Sequence, residues 1–277
     1  MKSVRFTKIV GSGNDFAVVE RSGLGRGMGL PRLAKAICRP RYGAGADGML
    51  LIEPSMAADV RMRVFNADGS EAEMCGNGAR CVARWLKQRL PGRDSFTIET
   101  KAGIISSRIF SPSRIRIRLT DPGKAKLDIP LKLGSRTIGV NFIDTGVPHA
   151  VIFSQGLNKI DLVSLARPIR YHKSFMPSGA NVNFIEVLGR SSLQIRTYER
   201  GVEDETLACG TGSVAAALIF SLKSGCVLPV KVRTKSKEVL TVYYKRRGVQ
   251  FFDVWLEGKA SIVYQGEYYF SAEAGYV

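Results

Sequence analysis

The chain has 277 residues, 45% hydrophobic and 23% charged, a composition far from that of disordered or collagen-like sequences and enough to bury two moderate cores. No run approaches the roughly 20 apolar residues of a membrane span, and Met1-Lys2-Ser3-Val4-Arg5-Phe6 carries no apolar leader, so a cytoplasmic protein without membrane attachment is expected. The net charge of +17 raises nucleic acid as a partner.

In chain order, the first signal is Gly13-Asn14-Asp15-Phe16-Ala17-Val18-Val19, an Asn-bearing turn entering a β-rich run. A helix is predicted over Pro31–Cys38, with proline in its first turn. Arg63-Val64-Phe65-Asn66 then leads through an acidic loop to Cys75-Gly76-Asn77-Gly78, followed by a predicted helix over Gly78–Arg89. Strands are predicted over Ser95–Thr100 and Ile104–Phe110, and Arg114-Ile115-Arg116-Ile117-Arg118-Leu119 alternates as a strand with one solvated face. Thr120-Asp121-Pro122-Gly123 is a turn-forming cluster that marks a domain boundary.

The second half repeats the plan. Strands are predicted over Ile138–Phe142 and Ala150–Phe153, with His149 entering the second of these, and a short helix over Leu162–Ala166. Asn181-Val182-Asn183-Phe184-Ile185-Glu186-Val187 mirrors the run at Asn14. Arg196-Thr197-Tyr198-Glu199 leads through another acidic loop to Cys209-Gly210-Thr211-Gly212 and a helix over Ser213–Ser224. Cys75 follows Asn66 by nine positions and Cys209 follows Glu199 by ten. Strands over Val230–Arg233, Val239–Tyr244 and Val249–Trp255 close the pattern, with Lys235 and Lys237 continuing the alternation of Lys231 and Arg233. Basic residues spaced this way, without interleaved aromatics or a helix-turn-helix, are solvated strand faces, so no nucleic-acid partner is expected. The fold expected is α+β: two similar domains, residues 1–120 (with 264–277 returning) and 121–263, each of antiparallel strands wrapped around a central helix. The active site is expected in the cleft between them.

Five cysteines are an odd count without a CxxC pair, and His149 and His172 are not spaced as a metal cluster; no disulfide framework, metal or cofactor is expected. Cys38, Cys81 and Cys226, in apolar surroundings, read as packing residues. Cys75 and Cys209 differ. Each precedes glycines that open a helix, where unpaired N–H groups and the dipole favour an anion and a thiolate. Two such thiols can take a proton from one side of an α-carbon and return one to the other. The N–H groups of Gly76, Asn77, Gly210 and Thr211 are candidates to hold the α-carboxylate, at about 2.7–4 kcal/mol per donor lost in comparable sites. Glu199, with His149 beside it, is the candidate partner of the ammonium group. Arg200 can clamp a second carboxylate, and Asn14, Asn66 and Asn183 offer amides for either group.

Taken together these segments resemble diaminopimelate epimerase. The resemblance rests on Gly11–Phe16, Gly43–Gly48, Phe65–Cys81, Pro148-His149, Asn181–Phe184, Tyr198–Gly201 and Glu205–Gly212, and the block around Cys75 is the most specific. It implies a cofactor-independent enzyme interconverting LL- and meso-diaminopimelate, with Cys75 and Cys209 as its acid–base pair. It further implies that Glu199 and His149 meet the reacting amino group. Asn14 is implied as part of a closing loop, and Asn66, Asn183 and Arg200 as holding the distal centre. A homodimer is implied, with the last strand returning to the first domain. Val147 stands where a frequent family pattern has Asn, which keeps another amino-acid racemase of the same scaffold in view.

Overall fold

The computed structural model describes residues 2–25, 27–111 and 113–270. They form two compact units, one of residues up to Ile117 together with those from Gly258 onward, the other Arg118–Glu257. The end of the expected returning segment, 271–277, lies outside the described residues.

The first unit contains β1 (Lys2–Gly11), β2 (Asn14–Glu20), α1 (Leu30–Cys38), β3 (Gly48–Glu53), β4 (Val60–Asn66), β5 (Glu71–Ala72), α2 (Gly76–Arg89), β6 (Ser95–Thr100), β7 (Gly103–Ser111) and β8 (Arg114–Arg118). The second contains β9 (Lys126–Leu133), β10 (Arg136–Asp144), β11 (Pro148–Phe153), α3 (Leu162–Arg170), β12 (Asn181–Gly189), β13 (Ser192–Glu199) and β14 (Asp204–Thr206). It continues through α4 (Gly210–Ser224), β15 (Val230–Arg233), β16 (Val239–Arg247) and β17 (Gln250–Gly258), after which β18 (Ser261–Phe270) belongs to the first unit.

The two units share one pairing scheme. In the first, β1–β2 and β3–β4 are antiparallel, while β2–β3 and β4–β6, which flank α1 and α2, are parallel. In the second, β10–β11 and β12–β13 are antiparallel, while β11–β12 and β13–β15 flank α3 and α4 and are parallel. β18 pairs antiparallel with β1 as β9 does with β10. The α+β architecture therefore contains mixed sheets: antiparallel neighbours need only short turns, and parallel ones occur where a helix supplies the crossover.

α2 and α4 are the central helices. From Val214 to Phe220, α4 is buried on every face, the mark of a helix surrounded by strands rather than lying on a surface. Ala79, Val82, Ala83, Trp85 and Leu86 bury α2 in the same way. Each fully buried Leu, Ile or Phe of these helices contributes about 1.5–3 kcal/mol. Among the described residues no helix is long and apolar enough to cross a membrane.

Several boundaries differ from the sequence pattern. α3 continues through Pro168 to Arg170 because Ile169 is buried and holds the last turn in place. α2 and α4 begin at Gly76 and Gly210, two and three residues before the apolar runs that suggested them. Lys231 and Arg233 are exposed and alternate with the buried Val230 and Val232, but Lys235 and Lys237 lie in the turn after β15, where the Thr234 carbonyl accepts from the Lys237 N–H and Lys237 takes a φ of 67°. In β8, Ile115 and Ile117 are fully buried, and the guanidinium groups of Arg114 and Arg116 cover Phe110 at 5.3 and 4.8 Å.

Candidate active site

Each unit delivers its cysteine by the same device. In the first, β4 turns into β5 with Phe65 opposite Glu71; in the second, β13 turns into β14 with Tyr198 opposite Glu205. The extra residue of the second loop is absorbed in this turn, so the path from each glutamate to its cysteine is the same length. Arg63 grips Glu71 through Nε at 2.8 Å and Nη2 at 3.0 Å; Arg196 grips Glu205 at 2.7 and 2.9 Å. A lysine after the next strand completes each cluster: Lys101 lies 2.9 Å from Glu71, and Lys235 pairs with Glu205. The acidic residues seen in the sequence are thus anchors for the approach to the cysteine. Hydrogen bonding from Arg63, reinforced by Lys101, holds the Glu71 carboxyl down at about 2.

Cys75 caps α2 and Cys209 caps α4. Each Sγ accepts the N–H of the third helical residue, Gly78 and Gly212 respectively, at 3.4 Å. The sulfur takes the place usually held by a Ser or Asp oxygen. The first two helical N–H groups, those of Gly76 and Asn77 or of Gly210 and Thr211, have no partner within the helix. Both the cap geometry and the dipole favour negative charge at the sulfur and at a group bound beside it. The remaining cysteines are placed otherwise: Cys38 and Cys81 are buried, and burial pushes the Cys38 thiol up to about 12. Cys226 is half-buried with its Sγ 3.5 Å from the Tyr244 hydroxyl.

In the first unit, Asn14 is joined to this helix start. Ser12 and Gly13, with φ of 55° and 86°, form the two-residue turn between β1 and β2. Asn77 Nδ2 donates to Asn14 Oδ1 at 2.5 Å, and Asn14 Nδ2 donates to Asp47 Oδ2 at 3.1 Å. Behind them Arg80, fully buried, donates to Asn77 Oδ1 and to Ser12 Oγ, both at 2.6 Å. Arg80 and Ser12 were not among the residues expected at the site; the signal for Arg80 was a charged side chain one turn into an apolar helix. Asn66 lies at the exposed end of β4, its amide donating to Ser70 Oγ at 2.9 Å.

In the second unit, His149 and Asn183 are both fully buried and lie on neighbouring strands. Burial, with the Arg200 charge adding a smaller contribution, lowers His149 to about 3, so its imidazole is neutral. Asn183, expected among the residues that hold the distal end of a substrate, has its amide bonded to Ala150, His149 and Thr197. Its Oδ1 packs so closely on α4 that a Cβ at Gly212 would come within 2.5 Å of it. Thr145 Oγ1 donates to the carbonyl of Thr211 at 3.3 Å. Glu199 ends β13, and burial raises its carboxyl while the Thr206 hydroxyl pulls more weakly the other way. Asn181, also absent from the expected set, joins this corner to His149's strand: it accepts the Arg200 N–H at 2.8 Å and donates to the Pro148 carbonyl at 3.2 Å.

The family model of diaminopimelate epimerase matches residues 6–126 and 141–263. The chain is 40% identical over 275 residues to the diaminopimelate epimerase of Aquifex aeolicus (strain VF5), covering 95% of this chain and 97% of that protein. It is 43% identical over 230 residues to that of Archaeoglobus fulgidus (strain ATCC 49558 / DSM 4304 / JCM 9628 / NBRC 100126 / VC-16), covering 78% and 81%. Among solved structures, a Bacillus anthracis phenazine biosynthesis protein of the PhzF family superposes with a TM-score of 0.74 at 19% identity, over 96% of this chain and 99% of that one. A hydroxyproline epimerase from Agrobacterium vitis does so with a TM-score of 0.72 at 16% identity, over 96% and 92%. The structural likenesses speak for the fold alone, but the family match and the sequence identities settle the assignment: this chain belongs to the diaminopimelate epimerase family.

Proposed function

We propose that this protein interconverts LL-2,6-diaminopimelate and meso-diaminopimelate by cofactor-independent inversion at one α-carbon, with Cys75 and Cys209 as the proton-transferring pair. One enters each turnover as thiolate and the other as thiol, and the roles exchange in the reverse direction. The N–H groups of Gly76, Asn77, Gly210 and Thr211 hold the carboxylate and the charge that grows on it as the proton leaves. Glu199 receives the ammonium group, with His149 beside it. Asn14, Asn66 and Arg200 hold the distal end, Arg200 as the carboxylate clamp. Homodimerisation, a cytoplasmic location and a supply of precursor to lysine and peptidoglycan synthesis complete the proposal.

The observation that supports this reading most is the duplicated cap, in which a cysteine sulfur at the start of each central helix accepts an N–H at 3.4 Å. A packing cysteine has no reason to recur at the same place in both units. The test is α-proton exchange in D₂O over a panel of amino acids. Exchange and inversion confined to diaminopimelate isomers, without added cofactor, are expected. Val147 makes the panel informative: inversion of another amino acid in preference to diaminopimelate would replace the substrate, and no exchange with any would defeat the proposal.

A further inference from the structure

The amide of Asn183 fixes more than its own position. Its Nδ2 lies 3.1 Å from the carbonyl oxygen of Ala150 and 3.1 Å from Nδ1 of His149, while Thr197 Oγ1 donates to its Oδ1 at 3.0 Å. A carbonyl oxygen can only accept, so the amide atom facing Ala150 is the NH₂ group. That nitrogen has two hydrogens and no capacity to accept, so its second hydrogen is given to His149 Nδ1. In a neutral imidazole one nitrogen accepts and the other carries the proton. The proton of His149 is therefore on Nε2.

That Nε2 is buried and has no hydrogen-bond partner among the described residues. A buried donor left unsatisfied costs about 1–3 kcal/mol, which a bound acceptor would relieve. We infer that Asn183 is a positioning residue that holds His149 as its Nε2–H tautomer, and that this N–H donates to a carboxylate oxygen of the substrate. The inference rests on the epimerase reading above and revises one part of it. An ammonium group has only hydrogens to offer, so an Nε2–H cannot receive it, and recognition of the ammonium falls to Glu199. The carboxylate is also the group favoured by the nearby start of α4, whose Gly212 packs directly on Asn183 Oδ1.

The chain contains two histidines, so a long-range ¹H–¹⁵N spectrum of the full-length, histidine-labelled protein distinguishes both rings. At pH 7, His149 is expected as a single neutral ring protonated on Nε2; a ring protonated on Nδ1, or on both nitrogens, overturns the inference. Addition of diaminopimelate should shift the Nε2–H resonance and leave the tautomer unchanged, whereas an unmoved resonance at saturating ligand overturns the carboxylate assignment. Asn183→Asp presents an acceptor to Nδ1 and should move the proton there. kcat/KM for diaminopimelate should then fall about 10- to 100-fold, the loss of one hydrogen bond to a charged group. Thr197→Val leaves the Ala150 contact in place and should keep the wild-type tautomer even if Asn183→Asp fails to fold; a switched tautomer in Thr197→Val contradicts the argument. Spectra of the ligand-free protein do not depend on the reaction. Epimerisation by a protein with the opposite tautomer would therefore defeat this inference alone, and the expected tautomer in a protein without epimerase activity would defeat only the reading beneath it.

Discussion

Glu71 and Glu205 occupy the same position in the two units: each lies four residues before a helix-capping cysteine and is gripped at both carboxylate oxygens by an arginine on the preceding strand. The relationship explains how two loops of different length bring their cysteines to equivalent places. A forked, two-point ion pair sets orientation as well as distance, so the segment from each glutamate to its cysteine starts from a fixed point.

This anchoring is pH-dependent in a definite sense. Glu71 titrates at about 2 in the folded protein against 4.5 unperturbed, so its contribution to stability is complete above pH 4.5 and disappears as pH falls toward 2. Thermal unfolding followed from pH 6 to pH 2 should show a fall in Tm that is shallower in Glu71→Gln than in the wild type. Parallel curves would contradict the assignment.

Cys75→Ser and Cys209→Ser each keep an oxygen able to cap the helix, but not a group that ionises near neutrality. Each variant should lose about 10²- to 10⁴-fold in kcat, the usual worth of general acid–base catalysis. Its thermal unfolding should remain close to that of the wild type. Near-normal kcat in either variant would remove that thiol from the mechanism.

Gly212→Ala reverses an ordinary expectation. In a helix, alanine is favoured over glycine by about 1 kcal/mol. Here the added Cβ would meet Asn183 Oδ1 at 2.5 Å, with the Cys209 Sγ at 3.3 Å. Overpacking of this kind costs about 1–3 kcal/mol, so denaturant unfolding should show a net loss of stability. A stabilised variant would mean that Asn183 can withdraw at no cost.

Arg80→Met keeps an apolar stem but is shorter and removes the hydrogen bonds to Asn77 and Ser12, both 2.6 Å in the wild type. Hydrogen bonds involving a charged group contribute about 1.5–3 kcal/mol each, so a loss of roughly 3 kcal/mol is expected in denaturant unfolding. KM for diaminopimelate should rise as well, because Asn77 carries the Asn14 amide. Unchanged stability and KM together would show that the hairpin turn is held by other means.

Much of this protein is legible in one dimension. The paired cysteine–glycine segments, the strand runs Ser95–Thr100 and Val230–Arg233 and the existence of the four α-helices among the described residues follow from local chemistry: glycine permits the turn, apolar periodicity marks the buried face, and proline marks a first turn. Helix starts were less legible at Gly76 and Gly210, because glycine has low helix propensity and only the cysteine caps make helical starts there favourable. Long-range partnership was not legible at all. Asn183 reads as an amide for the substrate, and only the folded chain brings it between Ala150 and His149, more than thirty residues earlier. Arg80 is a cation in an apolar helix, and the strands around α2 bury it and turn its charge toward Asn77 and Ser12. Backbone propensity acts over a few residues and is written in their order. The tautomer of a buried imidazole depends on which acceptor faces which donor, and packing brings those groups together.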